Sequence, residues 1–212
     1  MYIPQVSDPS EMSTELPRGA SKANFWDARY LNRIVPWDAG AVPPALIGFE
    51  SGIASRGRVL VPGCGSAYEA RYFAERGWTV LAIDFSAAAI AAATAVLGPW
   101  SAIALQADFF GFPGDDAPFD AIYERAFLCA LPRRLWQDYA TRAERLLRPG
   151  SLLFGFFYFD SSPKGPPFGS SRDELDRLLL PLFECVADEP VAPADSIDVF
   201  RGKERWMEWR RR

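Results

Sequence analysis

Residues 58–84 read RVLVPGCGSAYEARYFAERGWTVLAID, and the fold is decided there. Arg58-Val-Leu-Val-Pro62 is an apolar run of strand length, followed by a turn holding Gly63 and Gly65 and a helical stretch from Tyr68 to Arg76 that stops at Gly77. Thr79-Val-Leu-Ala-Ile83 is a second strand and leads into Asp84. Strand, glycine turn, helix and strand in this order make one unit of a parallel sheet with helices packed on it.

The alternation continues downstream. Ser86 caps an alanine-rich helix ending near Gly98, and strands follow near Ala102 to Gln106 and Phe119 to Tyr123. Pro132 starts a helix expected to run to about Arg148 and to stop at Pro149-Gly150. Ser151 to Tyr158 is a continuous apolar strand, and a helix near Arg172 to Leu180 precedes strands near Phe183 to Asp188 and Glu204 to Trp209. Upstream, Asn24 can cap a short helix carrying Phe25, Trp26 and Tyr30; Pro36 interrupts it and Pro43-Pro44 opens the next helical segment. The first residues, rich in Pro, Ser and Glu without periodicity, read as a mobile N-terminal arm over residues 1–22, leaving residues 23–212 as a single domain. The expected fold is α/β: a Rossmann-like, doubly wound, mainly parallel seven-stranded sheet with helices on both faces and ligand at the carboxyl ends of the strands.

Composition narrows the chemistry. The 212 residues carry a net charge of −4, short of the Lys and Arg excess that nucleic-acid phosphates demand. The basic end Arg210-Arg-Arg212 reads as a solvated tail. No apolar run approaches the roughly 20 residues of a membrane span, and no secretory leader is recognisable, so the expected compartment is the cytoplasm, with no membrane partner. Cys64, Cys129 and Cys185 fit neither a disulfide framework nor a zinc site, and no metal is expected. The absence of histidine removes Ser-His-Asp and Cys-His pairs and imidazole ligands, favouring chemistry with little proton transfer.

Gly63 and Gly65 let the backbone pass close to a ligand at a helix start. A dinucleotide fingerprint would place Gly or Ala three residues after Gly65, where Tyr68 stands, and no Gly-Lys-Ser/Thr follows, so pyrophosphate and P-loop readings are disfavoured. Asp84, 19 positions after Gly65, can accept hydrogen bonds from both ribose hydroxyls, with Phe85 beside it. It could instead cap the next helix, although Ser86 can do that. Asp108-Phe109 follows the third strand, where a carboxylate could meet an adenine amino group and a ring could pack on the base; the alternative is an ordinary loop turn. Ribose and adenine sites without a pyrophosphate site indicate S-adenosylmethionine, leaving as S-adenosylhomocysteine.

Several stretches resemble the thiopurine S-methyltransferase family, including its relatives that methylate thiols and halides. They are Phe25-Trp26-Asp-Ala-Arg-Tyr30 with Pro36-Trp37-Asp38-Ala-Gly40, Gly63-Cys-Gly-Ser-Ala-Tyr-Glu69 with Phe73-Ala-Glu-Arg-Gly77, Phe119-Asp-Ala-Ile-Tyr-Glu-Arg125 with Cys129-Ala-Leu131, and Gly165-Pro-Pro-Phe168. Ala67 is similar to the thiopurine branch; the thiol and halide branch usually has a glycine there. The resemblance implies that Trp26, Tyr30 and Trp37 surround the methionine end of the cofactor, where ring faces attract a sulfonium; the alternative is a purely packing role. It also implies that Arg125 stands beside cofactor and acceptor as the catalytic and substrate-binding cation, unless it only pairs with Glu124 or Asp120. Tyr158 and Phe168, with Trp37, are candidates for the acceptor wall, or else packing residues.

The implied reaction is in-line displacement, a small soft nucleophile attacking the sulfonium methyl, by an enzyme acting as a monomer. The nucleophile would be a thiol, thiopurine, sulfide, halide or selenium or tellurium compound, with Asp38, Tyr158 or water taking a proton from a neutral one. The alternatives are a small-molecule O- or N-methyltransferase, a non-catalytic S-adenosylmethionine-binding module, and a nicotinamide oxidoreductase, which Tyr68 opposes.

Overall fold

The structure is a computed structural model that describes residues 19–114, 117–162 and 164–212. The arm expected over residues 1–22 therefore lies, up to residue 18, outside the described residues. Seven strands form one sheet: β1 (Arg58–Pro62), β2 (Thr79–Asp84), β3 (Ala104–Gln106), β4 (Phe119–Arg125), β5 (Leu147–Tyr158), β6 (Phe183–Pro190) and β7 (Glu204–Arg211), in the order β3-β2-β1-β4-β5-β7-β6. The first five pair in parallel, while β7 runs antiparallel to both β5 and β6. The helices are α1 (Ala23–Leu31), α2 (Pro44–Ser51), α3 (Tyr68–Glu75), α4 (Ala87–Leu97), α5 (Trp136–Leu146) and α6 (Arg172–Leu179).

Because successive strand residues face opposite sides, the central strands read as apolar runs buried on both faces. Val59, Val61, Ala82, Tyr123 and Phe154 pack with residues of α2, α3 and α4. Leu60, Ile83, Ile122, Leu153 and Phe157 pack with α5 and α6. The α6 start is fixed by a capping box of Ser171 and Glu174, and that of α4 by Ser86, whose Oγ accepts from the Ala89 N–H at 3.1 Å.

Three expected boundaries are corrected. Asn24 is not a cap, because α1 begins one residue before it, after Lys22, without any side-chain cap. Its anchoring comes instead from Asp27, whose Oδ1 accepts from Ser86 Oγ at 2.6 Å and from Ala88 N at 3.1 Å, tying α1 to the start of α4. Ala102 and Ile103 lie in a 3₁₀ turn, so β3 starts at Ala104. The helix expected from Pro132 to Arg148 is a 3₁₀ turn over Arg133–Leu135 and then α5, which ends at Leu146. Leu147 already pairs with Phe119, so ladder formation takes over before Pro149-Gly150 could act as a stop.

Candidate active site

At the carboxyl ends of β1, β2 and β4 lies a cavity of about 970 Å³. Its floor starts with the loop after β1, where Gly63 and Gly65 have φ of +59° and +52°. A Cβ on Gly63 would stand 2.4 Å from Phe127 Cδ2, and one on Gly65 2.6 Å from the Tyr30 hydroxyl oxygen. Both positions therefore need glycine for backbone shape and for the close approach of an aromatic side chain. Ala67 closes the loop with φ +62° and leads into α3.

Asp84, at the end of β2, lines the cavity. Its Oδ2 accepts the Gly65 N–H at 3.3 Å and its Oδ1 the Ser86 N–H at 2.9 Å, so it braces the glycine loop while Ser86 performs the capping. Burial pushes its carboxyl up to about 6 despite those amide donors. Phe85 lines the cavity beside it, and its carbonyl accepts from Gln106 Nε2 at 3.2 Å. Asp108 makes a turn, Oδ1 accepting the Phe110 N–H at 3.0 Å, and also lines the cavity. The Phe109 ring is buried against Phe127 and Tyr139, and the residue lines the cavity.

Helix α1 and the loop after it supply the aromatics. Trp26 meets Trp37 edge to face at 5.2 Å between centroids, Tyr30 meets Trp37 at 6.2 Å, and Trp37 Nε1 donates to the Tyr30 hydroxyl at 3.4 Å. All three line the cavity. Trp26 is anchored by its Nε1–H on the Ala20 carbonyl at 2.8 Å, and burial raises the Tyr30 phenol. Asp38 completes this edge, accepting from Ser66 Oγ and from the Gly40 N–H.

Arg125, the last residue of β4, reaches the cavity, and its partner is neither Glu124 nor Asp120. Asp120 pairs with Arg148, and Glu124 takes only backbone and phenol donors. Arg125 Nε stands 3.7 Å from Glu69 Oε1 with both side chains largely buried, and its guanidinium lies 4.4 Å from the Phe156 ring centroid. Its Nη1 and the neighbouring Tyr123 hydroxyl are buried without a hydrogen-bond partner among the described residues. Burial works against the Arg125 charge, but Tyr123, Glu69 and Glu204 outweigh it and the pKa is raised. Burial raises the Glu69 carboxyl, and Arg125 opposes that.

Tyr158 and Phe168 do not line this cavity, which corrects their expected place in the acceptor wall. The Tyr158 hydroxyl donates to Asp160 at 2.7 Å and its ring packs on Phe200, which holds it behind the wall. The Phe168 ring joins the core, and its N–H donates to the Cys129 carbonyl at 2.6 Å. Pro166, Pro167, Val199 and Phe200 line the cavity. Glu69 and Phe127 were the other omissions. Glu69 stands at the end of the Gly63–Glu69 stretch and Phe127 two residues after Arg125, so sequence position could have flagged both. Val199 and Phe200 sit in an irregular segment without periodicity and left no signal.

A mixed sheet in the order 3-2-1-4-5-7-6 with only β7 antiparallel, a glycine turn after β1 and an acidic residue ending β2 define a class I S-adenosylmethionine-dependent methyltransferase. The donor set suits that cofactor: a carboxylate at the β2 end and three aromatic rings line one cavity. The family model of thiopurine S-methyltransferase matches residues 21–212, and the chain belongs to that family of enzymes. It is 26% identical to thiocyanate methyltransferase 1 of Arabidopsis thaliana over 97% of this chain and 92% of that protein. It is 31% identical to a probable thiol methyltransferase 2 of the same plant over 76% and 74%, and 29% identical to a thiopurine S-methyltransferase of Pseudomonas fluorescens over 74% and 80%. Among solved structures, the Burkholderia thailandensis 1,6-didemethyltoxoflavin-N1-methyltransferase with bound S-adenosylhomocysteine has the same fold, with a TM-score of 0.71, 18% identity and coverage of 99% and 93%. No described helix is long and apolar enough to cross a membrane.

Proposed function

We propose that residues 23–212 act as one domain transferring a methyl group from S-adenosylmethionine to a small soft nucleophile: a thiol, thiopurine, sulfide, halide, or selenium or tellurium compound. The observation that carries this reading is the meeting of Trp26, Tyr30 and Trp37 with Arg125 around one cavity. Bound S-adenosylmethionine supplies a methyl made electrophilic by its sulfonium charge. Asp84, with Phe85, holds the ribose hydroxyls, Asp108 and Phe109 hold the adenine, and Gly63 and Gly65 let the chain pass under the methionine end. The three ring faces attract a sulfonium by about 0.5 to 2 kcal/mol each. Arg125 favours the anionic form of the acceptor beside it.

Such a reaction needs orientation more than proton transfer, and orientation can contribute about 7 to 11 kcal/mol. That suits a chain without histidine, with Asp38 available to take a proton from a neutral acceptor. The names of the relatives, which specify thiols, thiocyanate and thiopurine, support sulfur as the acceptor atom. The net charge of −4 favours a small acceptor over nucleic acid, and three free cysteines suit the reducing cytoplasm, where the chain would act as a monomer. The test is release of S-adenosylhomocysteine across thiophenols, thiopurines, sulfide, iodide, selenite, catechols and amines. Turnover of sulfur, selenium or halide acceptors is expected; turnover confined to catechols or amines overturns the reading.

A further inference from the structure

Directly before Arg125, Glu124 is 1% exposed, and no cation pairs with it among the described residues. Its carboxylate is nevertheless fully engaged. Oε1 accepts the N–H groups of Phe127 and Leu128, each at 2.9 Å, and Oε2 accepts the Tyr139 hydroxyl of α5 at 2.7 Å. Between the carboxylate and its two amides lies Ala126, with φ +61°, a left-handed conformation that a residue with a Cβ adopts only when its surroundings impose it. Successive amides after such a residue form a concavity for an anion, and here the chain fills it with its own side chain.

The turn held in this way has consequences on both sides. Arg125 leaves β4 towards Glu69, while Phe127, Cys129 and Leu131 form cavity wall. The Phe127 ring occupies the space a Cβ at Gly63 would need, and the Cys129 carbonyl takes the Phe168 N–H from the segment that carries Pro166 and Pro167. Glu124 itself does not line the cavity. We propose that Glu124 is a positioning residue for methyl transfer, whose buried carboxylate fixes the turn at Ala126 and so sets Arg125 and the wall from Phe127 to Leu131 against the cofactor loop. Burial raises its carboxyl to about 7 despite three donors, consistent with a group retained for geometry, not for charge.

The proposal rests on the methyltransferase reading above and separates from its choice of acceptor, because it is measured with whichever acceptor the wild type turns over. Geometry and charge rank the substitutions oppositely. In Glu124→Gln the amide oxygen can accept from both backbone N–H groups and the amide nitrogen can donate to the Tyr139 oxygen. Glu124→Asp keeps the charge but is one methylene too short. With purified full-length variants, kcat is expected to fall about 10- to 100-fold in Glu124→Asp and Glu124→Ala and to be restored to within about 3-fold of wild type in Glu124→Gln, since an ångström of misplacement can cost about 100-fold. S-adenosylhomocysteine affinity, by calorimetry, is expected to stay within about 3-fold throughout. If Glu124→Ala does not fold, the Gln and Asp pair carries the test. A higher kcat in Asp than in Gln, an unchanged kcat in both Ala and Asp, or cofactor affinity falling in step with kcat would overturn the proposal.

Discussion

The proposed cofactor end of the cavity centres on a stretch continuous in sequence, Gly63 to Asp84, joined by Trp26, Tyr30, Asp108 and Phe109, whereas the proposed acceptor end is assembled wholly from separate segments, at Trp37, Arg125, Pro166 and Phe200. The first depends on turn chemistry: two left-handed glycines and a carboxylate at a strand end that grips the loop amide 19 residues back. The second depends on packing at a distance, with Phe127 against Gly63 and the Phe168 amide on Cys129. A local device is robust to changes elsewhere and suits a cofactor common to many enzymes. An assembled wall can be altered one segment at a time, which suits a variable acceptor.

If that division holds, substitutions at the two ends separate affinity from turnover. The largest effect is expected at Asp84. Asp84→Ala removes a charged acceptor for two hydroxyls and a brace of the loop; with about 1.5 to 3 kcal/mol per charge-assisted hydrogen bond, S-adenosylhomocysteine affinity should drop by at least about 100-fold. Calorimetry checks this, and a loss under about 5-fold would remove Asp84 from the cofactor site. Next is Arg125→Met at the acceptor end. Here kcat/KM for thiols should fall about 30-fold while cofactor affinity stays within about 5-fold, and equal losses in both would dissolve the distinction between the two ends.

A smaller effect comes from pH. The Asp84 carboxyl sits at about 6 in the folded, cofactor-free protein, above an unfolded value of about 3.9. The folded state thus holds more protons in that window, and this group contributes stability at low pH that is lost as pH rises through 6. Hydroxyl donors favour the ionised form, so cofactor binding runs the other way and weakens as pH falls below about 6. The rise in Tm given by a fixed concentration of S-adenosylhomocysteine should therefore shrink between pH 7.5 and 5, following the affinity. A shift that grows towards pH 5 would show that Asp84 is not an acceptor in the complex.

The same division explains what could be read from the sequence. All seven strands and the loops that line the cavity after β1, β2 and β3 were legible, because hydrophobic period, caps and glycine turns are local. Boundaries slipped where tertiary pairing overrode local signals, as at Leu147, which the sequence placed in a helix and the ladder with Phe119 drew into β5. Every residue expected to bind the cofactor lines the cavity. At the acceptor end, Arg125 does so, but its partner Glu69 and the Phe200 surface come from contacts between remote segments, which periodicity cannot record.

Tyr158 and Phe168 show that limit most directly, and they allow the smallest prediction. Tyr158 ends a strand that points towards the cavity, and a tyrosine there reads naturally as an acceptor ligand. In the structure its hydroxyl is spent on Asp160, which also holds Lys203, and its ring supports Phe200 from behind. Removing the hydroxyl leaves that ring contact in place and frees Asp160 to keep its lysine, so Tyr158→Phe should change kcat and KM for the acceptor by less than about 2-fold. The hydrogen bond lost, at about 0.5 to 1.5 kcal/mol net, should show as a small fall in Tm instead. A tenfold loss of kcat with Tm preserved would place the phenol in the chemistry after all, and the acceptor end would then extend one layer deeper than the cavity that now defines it.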